Sequence, residues 1–374
     1  MRHTLTARTL AAILIVVIAL TSALPALAAR KKKKTPEETL AASVKREIEI
    51  GDKVAEEIAK HMNIIEDPFV TARIKTIFNR LTPWVTRPLP YNVQIVREKS
   101  PNAFCIPGGN IYVTTGLIDF AQSDSELAFV IAHELAHADG KHVIIQMERN
   151  QRLSLAAIAI ALASRGAGAA MVLSNVAAIA VASAYSRDLE QQADLGAIEI
   201  AEKAGYDLVA GVTSMESLAA EELKQPWIDP GVYRDHPKLS DRISYIADAV
   251  ERKGYRIHRK KVLKLLIPRI AEEKGRLTLT LDNAPIISGP ATDAFRTTLE
   301  TAKKNIETSL QMETPAYDIR IDKTGPHPAI CVGVVRLLKW PIPGVTDTPE
   351  TVRTRIVDVL DVARKKHPMA RYAM

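Results

Sequence analysis

The sequence predicts an α+β fold, mainly helical with a small sheet, followed by a small C-terminal α/β unit. Apolar residues recur at helical spacing through much of the chain before residue 255. Two short stretches before residue 116 alternate in the manner of strands. Beyond about Arg256 the pattern changes to strand-like segments between helices. A chain of 374 residues is long enough for two folded parts.

Composition and charge exclude several classes of protein. The chain is 47% hydrophobic and 25% charged, which argues against wholesale disorder and against a polytopic membrane protein. Its formal net charge is +7, but the positive residues are scattered apart from the run Arg30 to Lys34. Since no helix-turn-helix, zinc finger or aromatic-basic face is found, we predict no nucleic-acid partner. A basic surface near anionic lipid explains the charge equally well.

Residues 1–28 have the pattern of a signal peptide. Arg2 and Arg8 precede an apolar run from Leu10 to Leu20, and Ala26 and Ala28 supply the small residues that precede a cleavage site. An uncleaved membrane anchor is the alternative, because the apolar run is short but not far below the length of a span. We therefore predict an exported protein of the periplasm, either free or associated with the membrane surface.

Export would place two cysteines, Cys105 and Cys331, in an oxidising compartment. A disulfide between them requires Cα atoms within about 7 Å, which sequence cannot give. Two buried thiols are the alternative.

The first elements in the chain are predicted from caps, prolines and periodicity. A helix from Thr35 through about Lys60 begins with a capping Thr, a Pro and acidic residues. Apolar residues at helical spacing predict a second helix over Pro68 to Leu81. Alternation predicts strands from Tyr91 to Val96 and from Ile111 to Thr115.

The middle of the chain is predicted to be helical. Ser123 caps an apolar helix that carries His133 and His137. Residues 153–184 are rich in Ala, Ile, Val and Leu with a Gly-containing break, which indicates a helical hairpin. Each arm is shorter than a bilayer span, so we predict buried helices, with contact to a membrane surface as the alternative. A further helix runs from Arg187 to about Ala204 and ends at Gly205.

The C-terminal unit is predicted to alternate strands and helices. The strand-like segment Leu277 to Leu281 precedes a helix from Thr292, and a final helix follows Thr348. Strand-like segments also surround Ile319 and Ile330. The predicted divisions are therefore residues 1–28, 29–255 and 256–374. The last part contains no cluster of His, Cys or carboxylate residues that suggests its own chemistry.

The motif His133-Glu134-Leu-Ala-His137 is the sharpest indication of function. Histidines at i and i+4 lie on one face of a helix, where they can place two imidazole nitrogens on one metal ion. Glu134 lies about 100° around the helix from His133, where it can hold a metal-bound water. Zinc suits imidazole and carboxylate ligands, and a catalytic site keeps three protein ligands with an open fourth position. Two histidines satisfied by backbone or water are the alternative.

A third ligand is predicted from the helix that follows Tyr185. Glu190 and Asp194 share one face of that helix, so one can bind the metal while the other accepts a hydrogen bond from a ligand imidazole. His142 lies about 140° around the helix from His137 and should not reach the same metal. We predict instead that His142 makes a structural hydrogen bond.

These motifs together resemble the M48 family of gluzincin metallopeptidases, which includes HtpX-like and periplasmic BepA-like proteases. The resemblance covers roughly residues 35–246. It rests on Asn102-Ala-Phe with Pro107-Gly-Gly, Ile111 to Thr115 with Gly116-Leu117, His133-Glu-x-x-His137 with His142, Tyr185-Ser-Arg, Glu190-x-x-x-Asp194, and His236-Pro237 with Arg242.

The resemblance implies a zincin-type metallopeptidase domain in residues 29–255. It implies one Zn²⁺ per chain bound by His133, His137 and Glu190, with Glu134 as catalytic base and Asp194 supporting a ligand imidazole. It also implies an endopeptidase that acts on unfolded or misassembled envelope proteins, in protein quality control. A binding or chaperone module with structural zinc is the alternative, although such a site would not require Glu134.

Three further roles follow from the resemblance. Arg242 is a candidate donor to the tetrahedral oxyanion, with an ordinary salt bridge as the alternative, and Tyr185 is a weaker candidate. His236 is a candidate fourth metal ligand that displaces the water and inhibits the site, with loop capping as the alternative.

Substrate is expected to bind in an extended conformation along an exposed strand edge, with a strand internal to the sheet as the alternative, since the edge position rests on the resemblance alone. The residues of that strand are Asn110, Ile111, Tyr112, Val113 and Thr114.

Overall fold

The computed structural model describes residues 35–151, 185–224 and 239–369. The chain forms two compact units, residues 1–45 and residues 46–374. The predicted signal peptide, the apolar stretch 153–184 and His236 lie outside the described residues. No helix in the described ranges is long and apolar enough to span a bilayer.

Helices predominate before residue 264, as the sequence predicts. In chain order the elements are α1 (Pro36–His61), β1 (Ile64–Ile65), α2 (Pro68–Leu81), β2 (Asn92–Val96), β3 (Ala103–Ile106), β4 (Asn110–Thr114), α3 (Thr115–Phe120), α4 (Asp124–Asp139), α5 (His142–Gln151), α6 (Arg187–Lys203), α7 (Val209–Lys224), α8 (Leu239–Arg252) and α9 (Arg259–Leu263). A 3₁₀ turn, Thr82–Trp84, follows α2.

The predicted helix starts are confirmed by side-chain caps. The Asp67 carboxylate accepts hydrogen bonds from the backbone of Phe69 and Val70 at the start of α2. The Ser123 hydroxyl accepts one from the backbone of Glu126 at the start of α4. These bonds satisfy amide groups that have no partner within the helix.

The first sheet has the strand order β1-β2-β4-β3. β2 and β4 are parallel, whereas β3 and β4 form an antiparallel hairpin. Its turn contains Gly108 and Gly109 at φ +86° and +88°, a conformation that glycine adopts without strain.

The prediction that Asn110–Thr114 forms an exposed edge is wrong. This strand, β4, pairs with β2 on one side and with β3 on the other, so its backbone is already hydrogen-bonded along both sides. The edge strand beside it is β3, which alternation did not reveal because all four of its side chains are buried.

Helix α4 lies within the core, and most of its side chains are buried. Small residues allow its neighbours to come close. A Cβ atom at Gly196 of α6 would lie 2.9 Å from the Cβ of Ala136. A Cβ atom at Gly211 of α7 would lie 2.5 Å from the Phe129 ring. These two glycines therefore set the distances of α6 and α7 from α4.

The C-terminal part consists of two antiparallel three-stranded sheets and two long helices. The elements are β5 (Pro268–Glu273), β6 (Arg276–Leu281), β7 (Ala284–Pro290), α10 (Asp293–Ser309), β8 (Ile319–Asp322), β9 (Ala329–Val332), β10 (Val335–Lys339) and α11 (Pro349–Lys366). The strand orders are β5-β6-β7 and β10-β9-β8. The α+β class with a C-terminal α/β part is therefore confirmed.

On three of the four edge strands of these two sheets, a main-chain carbonyl accepts a hydrogen bond from a side chain. The donor–acceptor pairs are Asn305 to Arg336 of β10 (2.8 Å), Arg353 to Ile319 of β8 (2.5 Å) and Arg355 to Ile286 of β7 (2.9 Å). The fourth edge strand, β5, begins with Pro268 and ends with the exposed residues Glu272 and Glu273. None of these edge strands therefore offers an uninterrupted series of backbone groups with which another strand could pair.

Arg259 joins the mainly helical part of the fold, up to Val262, to the C-terminal part that begins at Leu263. Its guanidinium donates two hydrogen bonds to Glu216 of α7, at 2.8 and 2.7 Å, and one to Glu313, which follows α10, at 2.5 Å. Buried apolar side chains form one cluster that ends at Val262 and a second that begins at Leu263. Residues on either side of the predicted division at 255 belong to one compact unit, so that division stays a proposal.

Cys105 and Cys331 are both buried free thiols. The disulfide alternative is therefore wrong, and the alternative of two buried thiols is confirmed.

Candidate metal centre

Helix α4 places His133 and His137 one turn apart on a buried face. Their Nε2 atoms are 2.9 Å apart, and both side chains are almost fully buried. One turn of helix brings residues i and i+4 onto the same face, which explains the convergence of the two rings.

Helix α6 brings Glu190 to the same point, because Gly196 lets it pack closely against α4. The Glu190 carboxylate lies 3.6 Å from Nε2 of His133 and 3.4 Å from Nε2 of His137. His133, His137 and Glu190 form a cluster that could hold a metal ion.

The spacing of these atoms fits zinc. Two atoms bound to one tetrahedral zinc at about 2.0–2.1 Å lie about 3.3–3.4 Å apart. The two Nε2 atoms are 2.9 Å apart, and the distances of 3.6 Å from His133 to Oε2 of Glu190 and 3.4 Å from His137 to Oε1 of Glu190 are close to that value. Two imidazoles and a carboxylate are also a donor set that zinc prefers.

Asp194 lies one turn beyond Glu190 on α6 and supports His133. Its carboxylate is 2.9 Å from Nδ1 of His133. Burial raises the pKa of Asp194, but the charges of Arg242 and His133 outweigh burial and hold the pKa well below its usual range. Asp194 therefore stays ionised as an acceptor for the His133 imidazole.

Arg242 on α8 is committed to the carboxylates behind the ligands. Its Nε and Nη2 atoms donate to Asp194 at 2.9 and 2.8 Å, and its Nη1 atom is 3.3 Å from Glu190. The Tyr245 hydroxyl, one turn further along α8, also donates to Asp194. These contacts are the salt bridge that was one alternative for Arg242, and its role as an oxyanion donor stays a prediction.

Two aromatic side chains enclose His137. The Tyr185 ring stacks on it, with centroids 4.0 Å apart and an angle of 18° between the planes. The Nδ1 atom of His142 is 2.9 Å from Nδ1 of His137, which is the structural hydrogen bond that the sequence predicts. Burial and the nearby charge of His133 lower the pKa of His137 to about 3 and that of His142 to about 4. Both rings are therefore neutral at pH 7, the form in which an imidazole binds a metal.

Glu134 faces the same space from the next position on α4. Burial raises the pKa of its carboxyl to about 7. Its Oε2 atom is buried and accepts no hydrogen bond from the described residues. A carboxyl whose pKa lies near neutrality can accept and release a proton at the operating pH.

Cys105 of the edge strand β3 lies close to Glu134. Its Sγ atom is 3.6 Å from the Tyr185 hydroxyl. Sequence reasoning did not place Cys105 or Tyr245 near the centre. Tyr245 had a usable indication, since it lies at i+3 from Arg242, whereas Cys105 had none because strand order is not visible in sequence.

Of the predicted site residues, the structure brings together His133, Glu134, His137, Glu190, Asp194 and Arg242. His236 lies outside the described residues, so its role as a fourth ligand stays a prediction.

Comparison with known proteins gives consistent similarities. A model of Peptidase family M48 matches residues 68–250. The chain is 31% identical over 234 residues to a putative beta-barrel assembly-enhancing protease of Vibrio cholerae, covering 59% of this chain and 48% of that protein. It is 27% identical over 211 residues to the beta-barrel assembly-enhancing protease of Escherichia coli K12, covering 54% and 43%.

A shorter relative is covered more fully. The metalloprotease LoiP of Escherichia coli K12 is 29% identical over 189 residues, which cover 49% of this chain and 71% of that protein. By contrast, the chain spans about half the length of the two beta-barrel assembly-enhancing proteases that it matches.

Proposed function

This chain belongs to peptidase family M48 through residues 68–250, and on that premise we propose that it is an exported zinc-dependent metalloendopeptidase. The observation that carries the proposal is the cluster of His133, His137 and Glu190, with Glu134 at its side. A structural zinc site would close with four protein ligands and has no need of a buried base beside it.

The chain's own residues have separable roles in this proposal. His133, His137 and Glu190 would hold the zinc ion, which when bound would supply a positive charge that lowers the pKa of water and polarises the scissile carbonyl. Glu134 takes the proton of the attacking water at its carboxylate and delivers it to the leaving amine. Asp194 holds His133 by Nδ1, so that Nε2 faces the metal.

Arg242 and Tyr185 stay the proposed donors to the oxyanion, and both already have other partners. Three of the nitrogen atoms of Arg242 already face Asp194 and Glu190. The hydroxyl of Tyr185 lies 3.6 Å from Sγ of Cys105. His236 remains a proposed ligand or loop residue, and its substitution by Ala tests for inhibition.

We assign substrate binding to the edge strand β3 (Ala103–Ile106). It pairs with β4 on one side and with no described strand on the other. Cys105 of this strand lies against Glu134, so a peptide added along β3 would pass the proposed base. Backbone pairing of this kind accepts any extended peptide, which suits unfolded clients.

The proposed clients are unfolded or misassembled envelope proteins. Export rests on the signal-peptide pattern of residues 1–28, which predicts a periplasmic location. The names of the two beta-barrel assembly-enhancing relatives support an envelope substrate class. Association with a membrane surface remains a proposal from the apolar stretch 153–184.

The test is zinc content and casein cleavage by the mature chain from Ala29, with and without a chelator. We expect about one zinc per chain and cleavage that the chelator abolishes. Glu134→Gln should retain zinc and lose roughly 10²–10⁴-fold in rate, the usual contribution of a general base. His236→Ala should cut faster than the parent if His236 inhibits. Stoichiometric zinc without cleavage in both the parent and His236→Ala would favour a binding or chaperone module.

A further inference from the structure

The corner between α4 and α5 returns the chain toward the metal cluster. Gly140 ends α4, and Lys141 follows in the left-handed conformation at φ +58°. On one continuous helix, His142 would lie about 140° around the axis from His137. The left-handed residue instead turns α5 back, and Nδ1 of His142 lies 2.9 Å from Nδ1 of His137.

Gly140 provides the space for this return. A Cβ atom at residue 140 would lie 2.3 Å from Nε2 of His142 and 2.7 Å from its Cδ2. Real Cβ atoms do not approach other heavy atoms so closely, so any larger residue would displace the ring. The corner is therefore built around the imidazole of His142.

The two rings can share only one proton across this contact. Nε2 of His137 faces His133 and Glu190, so it must be unprotonated to bind a metal. A neutral His137 then carries its proton on Nδ1, which must donate to Nδ1 of His142. His142 in turn carries its proton on Nε2, the ring nitrogen that does not face His137.

We propose that His142 is a positioning residue for His137, holding it in the tautomer that presents Nε2 to the metal. This inference rests on the proposed metal site. The two histidine ligands thus have different supports, since Asp194 is an anion that accepts from His133, whereas His142 is a neutral acceptor for His137. The Tyr185 ring packs on the plane of His137 but offers no acceptor to its Nδ1.

The competing explanation is that His142 only fills space at the corner. Three variants separate the two. His142→Asn keeps an oxygen close to the position of Nδ1, His142→Gln moves the amide to the position of Nε2, and His142→Leu supplies bulk without an acceptor. The experiment measures zinc affinity of the mature chain from Ala29 by competition with a chelator, and the melting temperature of the metal-free protein.

We expect His142→Leu and His142→Gln to weaken zinc binding by roughly 10–100-fold, the usual effect of removing a partner of a metal ligand. His142→Asn should remain within a fewfold of the parent. Zinc binding as tight as the parent in His142→Leu, or as weak in His142→Asn as in His142→Gln, would overturn the proposal. If His142→Leu does not fold, the comparison between the Asn and Gln variants decides it.

This readout is independent of cleavage. A parent that binds zinc but does not cleave casein would contradict the proposed peptidase, while the order of the three zinc affinities would still support or overturn the role of His142. Melting temperatures that fall equally in the metal-free Asn and Gln variants, with zinc affinities that also fall equally, would identify a purely structural residue.

Discussion

The two parts of the fold differ in what they bury. Among the described residues, those up to 262 bury charged or titratable side chains, including Glu47, Glu126, His133, Glu134, His137, His142, Glu190, Asp194, Glu216 and Arg242. The buried polar residues beyond 262 in the described ranges are Thr314 and His367.

This difference indicates that the metal chemistry belongs to the first part and that the second part serves stability. Charged groups taken out of water are unfavourable unless they are paired, and their pairing alone seldom adds net stability. Most of these groups lie at the metal cluster, whereas Glu47 pairs with Arg87, Glu216 pairs with Arg259 and Glu126 accepts a hydrogen bond from Thr213. The second part is packed almost entirely by apolar residues, so we expect its contribution to be stability and surface instead of catalysis.

The largest expected loss of stability follows the removal of Arg242, the buried cation that pairs with Asp194 and Glu190. Arg242→Met leaves Asp194 and Glu190 without their cation, and we expect unfolding to require roughly 3–5 kcal/mol less. Urea unfolding of the metal-free protein measures this. The matched change beyond residue 262 is Arg353→Met, which removes hydrogen bonds to neutral carbonyls and should destabilise by only about 1–2 kcal/mol. Equal losses of stability in Arg242→Met and Arg353→Met would contradict the proposed difference between the two parts.

An apolar truncation in the second part should affect stability alone. Leu299 on α10 is fully buried, and Leu299→Ala is expected to destabilise by about 3 kcal/mol through lost packing and a cavity. Zinc per folded chain should remain that of the parent. A variant that is still folded but has lost zinc would show that the C-terminal part helps to form the metal centre.

The raised pKa of Glu134 predicts a pH signature confined to the first part. Burial raises the pKa of the Glu134 carboxyl from its ordinary value of 4.5 to about 7, so the folded metal-free protein binds more protons than the unfolded chain between those pH values. The contribution of Glu134 to stability is therefore present below about pH 4.5 and is lost as pH rises through about 7. The shift corresponds to at most about 3 kcal/mol.

The measurement compares urea unfolding of the metal-free parent and Glu134→Gln across this range. We expect the free energy of unfolding of Glu134→Gln to rise relative to that of the parent as pH rises, because Gln has no proton to lose. His137 and His142 have lowered pKa values, so their contributions to stability change with pH in the opposite direction. Subtracting the free energy of unfolding of one protein from that of the other removes these contributions, because both proteins share them. A constant difference would contradict the raised pKa.

The smallest effect should be the same in both parts. Ser123 caps α4 and Thr292 caps α10 through equivalent hydrogen bonds to backbone amides, of 3.2 and 3.3 Å. Ser123→Ala and Thr292→Ala should each destabilise by about 1 kcal/mol in thermal or urea unfolding. A much larger loss for Ser123 would show that the start of the metal-binding helix is strained in a way that the second part is not.

Local sequence predicted most of the helices because their signals are local. The caps at Ser123, Thr292 and Thr348 lie where the helices begin, and Gly205 follows the end of α6. The i, i+4 spacing likewise indicated His133 with His137 and Glu190 with Asp194, because helix geometry alone puts each pair on one face.

The missed features depend on contacts between distant segments. The strands β1, β3, β5, β7 and β10 were not predicted, and the order of the first sheet places β4 inside it instead of at its edge. The approach of His142 to His137 depends on a single left-handed residue, Lys141, which no periodicity reveals. The partners of Arg242 likewise require the packing of α8 against α6.

The blocked edges of the C-terminal sheets bear on colloidal behaviour. An extended polypeptide that approaches β7, β8 or β10 meets a carbonyl that already accepts a hydrogen bond from a side chain of the same molecule. Pairing there would require an arginine or asparagine to be displaced before the new ladder could form. These three edges of the C-terminal sheets are therefore protected against pairing with an edge strand of another copy of this chain.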